Sequence, residues 1–198
     1  MSQSTLYRAQ LRSKLQTGVT ISRSNGRRLP SNVPFAVDNV WEYTRPDTMP
    51  SRRHSVYASP TPALALGGAS QGSASRDDYV VCRLELVGTP RLLQIEVEDA
   101  RQHRDVEAVQ REILRRLRVD DWAQAPLERK LALAPLFLPG VTRAEMQQAV
   151  QHHALLAEVV HGAAAQVTLW TAPPAPNAHG EIFFELDAGQ GYVLHPLD

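Results

Sequence analysis

The chain has 198 residues, 43% hydrophobic and 21% charged, an ordinary globular composition and enough to bury about two-thirds of the unfolded surface in one domain. No run approaches the roughly 18 apolar residues of a membrane span, and the start MSQSTLYRAQLRSKL lacks an apolar signal-peptide core, so the expectation is a soluble cytoplasmic protein without a membrane partner. The net charge of zero hides an asymmetry: residues 1–53 hold nine Arg/Lys against three Asp/Glu, the remainder twelve against eighteen, which points to an anionic partner for the first quarter.

TLYRAQL (5–11) alternates as a half-buried strand, with Leu6, Arg8 and Gln10 on one face. Residues 17–34, with Gly18, Asn25, Gly26, Pro30 and Pro34, read as a long loop. AVDNVWEY (36–43) places Val37, Val40 and Trp41 at helical spacing, and the loop TRPDTMPSRR leads into a strand, HSVYAS (54–59). TPALAL (61–66) starts a helix with Thr61 as the cap and Pro62 in the first turn. GGASQGSAS (67–75) is a Gly/Ser-rich connection.

DYVVCRLELV (78–87) and PRLLQIEVE (90–98) are two strands around Gly88-Thr89, expected to pair as a hairpin. The only cysteine, Cys82, lies in the first of them; it excludes an internal disulfide, argues against a cysteine zinc site, and reads as a buried thiol. RDVEAVQREILRRLR (104–118) sets Val106, Val109, Ile113 and Leu117 on one helical stripe, with Glu107–Arg111 and Glu112–Arg116 pairs on the exposed side. WAQAPLERKLALAPLF (122–137) is helical with breaks at Pro126 and Pro135. Residues 142–162 read as one helix, opened by a Thr142/Glu145 capping box and stopped by Gly162. AQVTLWT (165–171) and EIFFEL (181–186) are expected strands across the loop 172–180, with GYVLHPL (191–197) pairing beside them. No internal repeat is present, and the order of elements argues α+β with a mainly antiparallel sheet.

The sequence holds no phosphate loop, no G-x-G-x-x-G after a strand, no G-x-S-x-G elbow and no H-E-x-x-H. His152, His153 and His161 have no carboxylate or cysteine spacing that would complete a metal site. Residues 1–53 combine arginines with Tyr7, Phe35, Trp41 and Tyr43 but form no recognised nucleic-acid-binding module.

Three distant segments carry the remaining chemistry: Arg8 in LYRA, Tyr57 and Ser59 in VYASPTPALAL, and Glu181 opening EIFFEL. Together they resemble the ADP-ribosyltransferase superfamily in its Arg-Ser-Glu branch, and the first two are also similar to the RES-domain toxins that use NAD. The resemblance implies one ADP-ribosyltransferase-like domain over residues 1–198, with a split, mainly antiparallel sheet and helices. It implies an NAD-dependent transferase or NAD glycohydrolase, with NAD as substrate and no metal. Glu181 is then the catalytic carboxylate, with Glu185 in reserve. Arg8 with Arg53 or Arg52 would hold the phosphates, and Tyr7, Tyr57 and Ser59 would shape the nicotinamide pocket. Departures are Pro60 and Thr61 where the family has Thr-Ser, His179 two positions before the glutamate, and Gly67-Gly68 where RES domains have an acidic residue.

The grouping is chemically coherent. Cleavage of the nicotinamide–ribose bond passes through an oxocarbenium-like state that a carboxylate can stabilise, as in glycoside hydrolysis, and a pyrophosphate suits bidentate arginine. The acceptor would be a protein side chain, a nucleic acid, a small molecule or water. A bacterial toxin or effector delivered into another cell, with a cognate inhibitor protein as partner, is the expectation by analogy. The alternative is a non-catalytic protein- or nucleic-acid-binding module that uses the basic N-terminal region.

Overall fold

Alternating apolar residues in Leu6–Leu11 (β1) and Tyr79–Val87 (β4) bring the two segments together antiparallel, Leu6 opposite Leu84 and Arg8 opposite Cys82. In the computed structural model, which describes residues 5–22, 29, 32–69, 75–118, 122–171 and 178–197, the described chain is α+β. Its remaining strands are Ile21–Ser22 (β2), Ser55–Ala58 (β3), Arg91–Gln94 (β5), Ile182–Glu185 (β6) and Gly191–Pro196 (β7). The helices are Phe35–Thr44 (α1), Pro62–Ala69 (α2), Arg104–Leu117 (α3), Leu127–Phe137 (α4), Arg143–His152 (α5) and Ala154–Ala164 (α6). None of these helices is long and apolar enough to cross a membrane.

The chain divides into two compact units, one of Met1–Arg28, Thr48–Ala100 and Pro173–Asp198, the other of Leu29–Asp47 and Arg101–Ala172. The first unit holds a four-stranded sheet in the order β1-β4-β7-β2 and a three-stranded sheet in the order β3-β6-β5. Every pair of named strands is antiparallel. The two sheets share one apolar core: Leu6, Cys82, Leu84 and Leu194 from the first, Ala58, Ile182 and Phe184 from the second. Side chains alternate along a strand, so the residues between these, Tyr57, Phe183 and Glu185, point to the other face of the three-stranded sheet. Burial pushes the Cys82 thiol pKa up, in keeping with a core packing role.

Two expected pairings are corrected. β4 and β5 are not a hairpin: β4 lies between β1 and β7, whereas β5 pairs with β6. The chain changes sheet at Gly88, whose φ of +87° suits glycine. β7 likewise joins β4 and β2 rather than β6. An alternating apolar strand fits any antiparallel partner, so its periodicity specifies a face and not a neighbour.

In the second unit, α1, α3 and the capped start of α5 fall where the periodicity puts them, with the Thr142/Glu145 capping box formed. Residues 142–162 are nevertheless two helices, because His153 adopts an extended backbone (φ −129°, ψ 101°) and ends α5 where α6 begins. The buried positions explain the break: Met146 and Val150 set one phase, and Leu156, Val159, Val160 and Ala163 another. Gly162 is therefore inside α6, not its terminator. Pro135 does not break α4 but lies in its last turn, where Asn39 Nδ2 donates to the carbonyls of Pro135, Leu136 and Leu138 at 3.2, 3.0 and 2.9 Å.

Residues 165–171 do not form a strand. The amides of Ala165, Gln166 and Val167 go to carbonyls of the preceding helix, and Asp105 accepts from the Thr168 amide (2.9 Å), the Thr168 hydroxyl (2.6 Å) and the Leu169 amide (2.9 Å). The expected loop 17–34 contains the short β2. Residues 23–28 and 30–31 of that loop, 70–74 of the Gly/Ser stretch and 172–177 of the Pro-rich loop lie outside the described residues.

Candidate functional site

The sequence-derived candidates lie in the first unit, and the strands bring their segments together. Tyr7 and Ser59 form a backbone bridge, with Tyr7 N donating to Ser59 O and Ser59 N to Tyr7 O, both at 2.8 Å. This bridge joins β1 of the four-stranded sheet to the end of β3 of the three-stranded sheet. Arg8, one residue on, donates from Nη1 to the carbonyl oxygen of Tyr57 at 2.5 Å. In β6, Phe183 lies opposite Tyr57 and Ile182 opposite Ala58. Ser59 and Glu181 are the residues immediately beyond that register, where Ser59 turns to pair with Tyr7 and Glu181 pairs with Ile95 and Val97. Arg8 and Tyr57 thus meet where the two sheets adjoin, Ser59 is held there by Tyr7, and Glu181 directly precedes the strand that pairs with β3.

Tyr57 is held at both ends. Its ring packs on Phe183 with centroids 6.0 Å apart, and its hydroxyl donates to Arg52 O at 2.9 Å. The turn that precedes β3 is built from Ser51, whose carbonyl accepts from the Ser55 hydroxyl at 2.6 Å and from the His54 amide at 3.1 Å. The same turn carries Arg52 and Arg53, which are 3% and 1% exposed. Arginine at that depth is rare unless its charge is compensated; both side chains are buried and neither is a surface cation. Ser59 ends β3, and α2 starts from Thr61, whose hydroxyl caps the Leu64 amide at 3.3 Å.

Glu185, at the end of β6, and Glu181, just before it, differ in setting. Glu185 is 6% exposed, and its Oε2 accepts from the Ser51 amide at 2.9 Å and pairs with Arg91 Nη2 at 3.2 Å. Arg91 also reaches Asp187 at 3.1 Å. Glu185 therefore ties β6 to the turn before β3 and to β5. Glu181 is only partly buried. Its Oε2 accepts from the Ala100 amide at 3.2 Å, and its own amide and carbonyl pair with Val97 O (2.8 Å) and Ile95 N (2.9 Å). His179, just before it, is exposed.

Sequence reasoning did not single out Ser51, Arg91, Gln94 or Ala100. Ser51 and Ala100 act through backbone amides, which any residue but proline supplies, and so leave no sign in the sequence. Arg91 could have been found as the cross-strand partner of Glu185, but only with β5 next to β6. Among the described residues no group of three or more His, Cys, Asp or Glu could hold a metal ion. No protein-family model, curated protein or solved structure matches the chain.

Proposed function

We propose that this chain is an NAD-consuming enzyme of ADP-ribosyltransferase-like fold, which cleaves the nicotinamide–ribose bond as a transferase or glycohydrolase. The observation that supports this reading best is that Arg8 bonds to Tyr57 and Tyr7 to Ser59, while β3 pairs with the strand that Glu181 precedes.

In this reading Glu181 is the catalytic residue. Its carboxylate stabilises the developing oxocarbenium charge while it holds a ribose hydroxyl. A guanidinium has five N–H donors, so the Arg8 bond to Tyr57 O is compatible with a further contact to a phosphate oxygen; Arg52 and Arg53, 3% and 1% exposed, lie too deep to share that contact. Tyr57 and Tyr7 flank the departing nicotinamide, and Ser59 shapes that pocket. The acceptor, whether protein, nucleic acid, small molecule or water, decides between transferase and glycohydrolase. A toxin or effector role with a cognate inhibitor protein is proposed by analogy alone.

The test is nicotinamide release from NAD by the folded protein. Release by wild type and its loss in Glu181→Gln is the expected result. If wild type shows neither NAD cleavage nor NAD-induced thermal stabilisation, a non-catalytic protein- or nucleic-acid-binding module replaces the enzyme.

A further inference from the structure

Glu181 is surrounded by one short stretch of chain. Gln94, the last residue of β5 and 7% exposed, donates from Nε2 to Gly180 O at 3.1 Å. Ile95 N then donates to Glu181 O at 2.9 Å, and Glu181 N donates to Val97 O at 2.8 Å. Finally the chain turns back, and the amide of Ala100, itself fully buried, donates to Glu181 Oε2 at 3.2 Å. The carbonyl before Glu181, its own amide, its own carbonyl and its carboxylate are all bonded within residues 94–100.

A strand end requires only the main-chain part of this pattern. The side-chain part does something else: a half-buried glutamate could leave its carboxylate to water and keep its rotamers. Fixing a glutamate side chain costs conformational entropy, which a charge-assisted bond from a buried amide offsets. The outcome is a carboxylate held in one place before any ligand arrives, the preorganisation that charge-stabilising groups in active sites require. Glu185 shows the contrast, since its contacts lock two elements together.

We propose that Gln94–Ala100 is a positioning clasp for the Glu181 carboxylate, with the Gln94 side chain and the Ala100 amide as its two working ends. This rests on the reading of Glu181 as the catalytic carboxylate. Gln94 and Ala100 are positioning residues that act through Glu181.

The clasp is tested by two measurements. First, in the full chain without NAD, the Ala100 amide resonance is followed by NMR. It is expected to move as the Glu181 carboxylate is titrated, and its hydrogen exchange is expected to quicken at least about 10-fold in Glu181→Ala, as a hydrogen bond worth roughly 1.4 kcal/mol or more is lost. An Ala100 amide that ignores both changes overturns the clasp. Second, Gln94→Leu removes the donor to Gly180. Nicotinamide release by the folded variant is expected to lose about 10–100-fold in kcat with KM for NAD within about threefold, since small misplacements of a reacting group cost that much. A Gln94→Leu protein that is merely less stable, with kcat intact, also overturns it. If wild type releases no nicotinamide, the enzymatic reading fails, and the amide measurement alone decides whether the clasp exists.

Discussion

Substituting Glu185 by glutamine would take the charge from a carboxylate that is 6% exposed and paired with both the Ser51 amide and Arg91. Hydrogen bonds to charged groups contribute about 1.5–3 kcal/mol, and Arg91 retains Asp187, so Glu185→Gln is expected to lose about 1–3 kcal/mol in urea unfolding. Glu181→Gln keeps an oxygen for the Ala100 amide at a partly buried position and is expected to stay within about 0.5 kcal/mol of wild type. Equal losses would contradict the different roles given to the two residues. Asp105 is the larger case. It is fully buried, and besides the Thr168 and Leu169 donors it accepts from Trp41 Nε1 at 3.1 Å. Asp105→Ala orphans these donors together, and a loss of about 3–5 kcal/mol is expected. A loss below about 1 kcal/mol would mean that water replaces the carboxylate.

At the scale of elements, α3 and α6 are joined by an arginine that lies where a side chain would otherwise be. A Cβ on Gly162 would stand 1.9 Å from Arg116 Nε, so Arg116 can cross α6 only because residue 162 is glycine. Arg116 Nε also donates to Glu112 at 2.5 Å. Hydrogen bonds from Arg115 first, and Arg116 second, lower the Glu112 pKa from its ordinary 4.5 to about 2. A lowered folded-state pKa stabilises the fold above the unfolded value and not below the folded one. The contribution of Glu112 is therefore complete above pH 4.5 and lost as the pH falls through about 2. Gly162→Ala must push Arg116 aside while Arg115 stays, so the Glu112 midpoint is expected to rise above 2 but to stop short of 4.5, as read by carboxyl NMR. An unmoved midpoint would show that Arg116 does not hold Glu112. Gly162 illustrates what the sequence conveyed and what it withheld. Its position suggested a helix end, but only the packing of α3 on α6 reveals the close approach. Periodicity likewise identified β4 and β5 as strands without saying that they enter different sheets. Residues 165–171 had strand composition, but the end of α6 takes the amides of Ala165 to Val167, and Asp105, some sixty positions earlier, takes those of Thr168 and Leu169. Arg8, Tyr57 and Ser59 were singled out by a family resemblance, whereas the bonds that join their segments run to the Tyr57 carbonyl and the Ser59 backbone and leave no sign in the sequence.

For the whole molecule, the question is which part of the chain meets an anionic partner. The excess positive charge of residues 1–53 suggested a basic surface, but its described cations do not form one. Arg52 and Arg53 are buried, Arg8 is bonded to Tyr57, and Arg45 pairs with Glu42 at 3.1 Å. Arg12 and Lys14 are the exposed ones among the described residues. The side chains proposed to contact NAD belong to the first compact unit, in β1, in β3 and just after it, and just before β6. A ligand that binds only the folded state adds RT ln(1 + [L]/Kd), about 2.7 kcal/mol at 100 times Kd. Amides whose opening exposes the site should then exchange about 100-fold more slowly. Hydrogen exchange with saturating NAD is expected to slow residues 6–11, 51–59, 91–100 and 181–185, and to leave α3 to α6 unchanged. Protection confined to α3–α6 would remove the site assignment while keeping an NAD-binding protein. If NAD protects no segment and an oligonucleotide binds with affinity that falls steeply with salt, the charge of the N-terminal region is the functional feature, and the carboxylate at the sheet junction is structural.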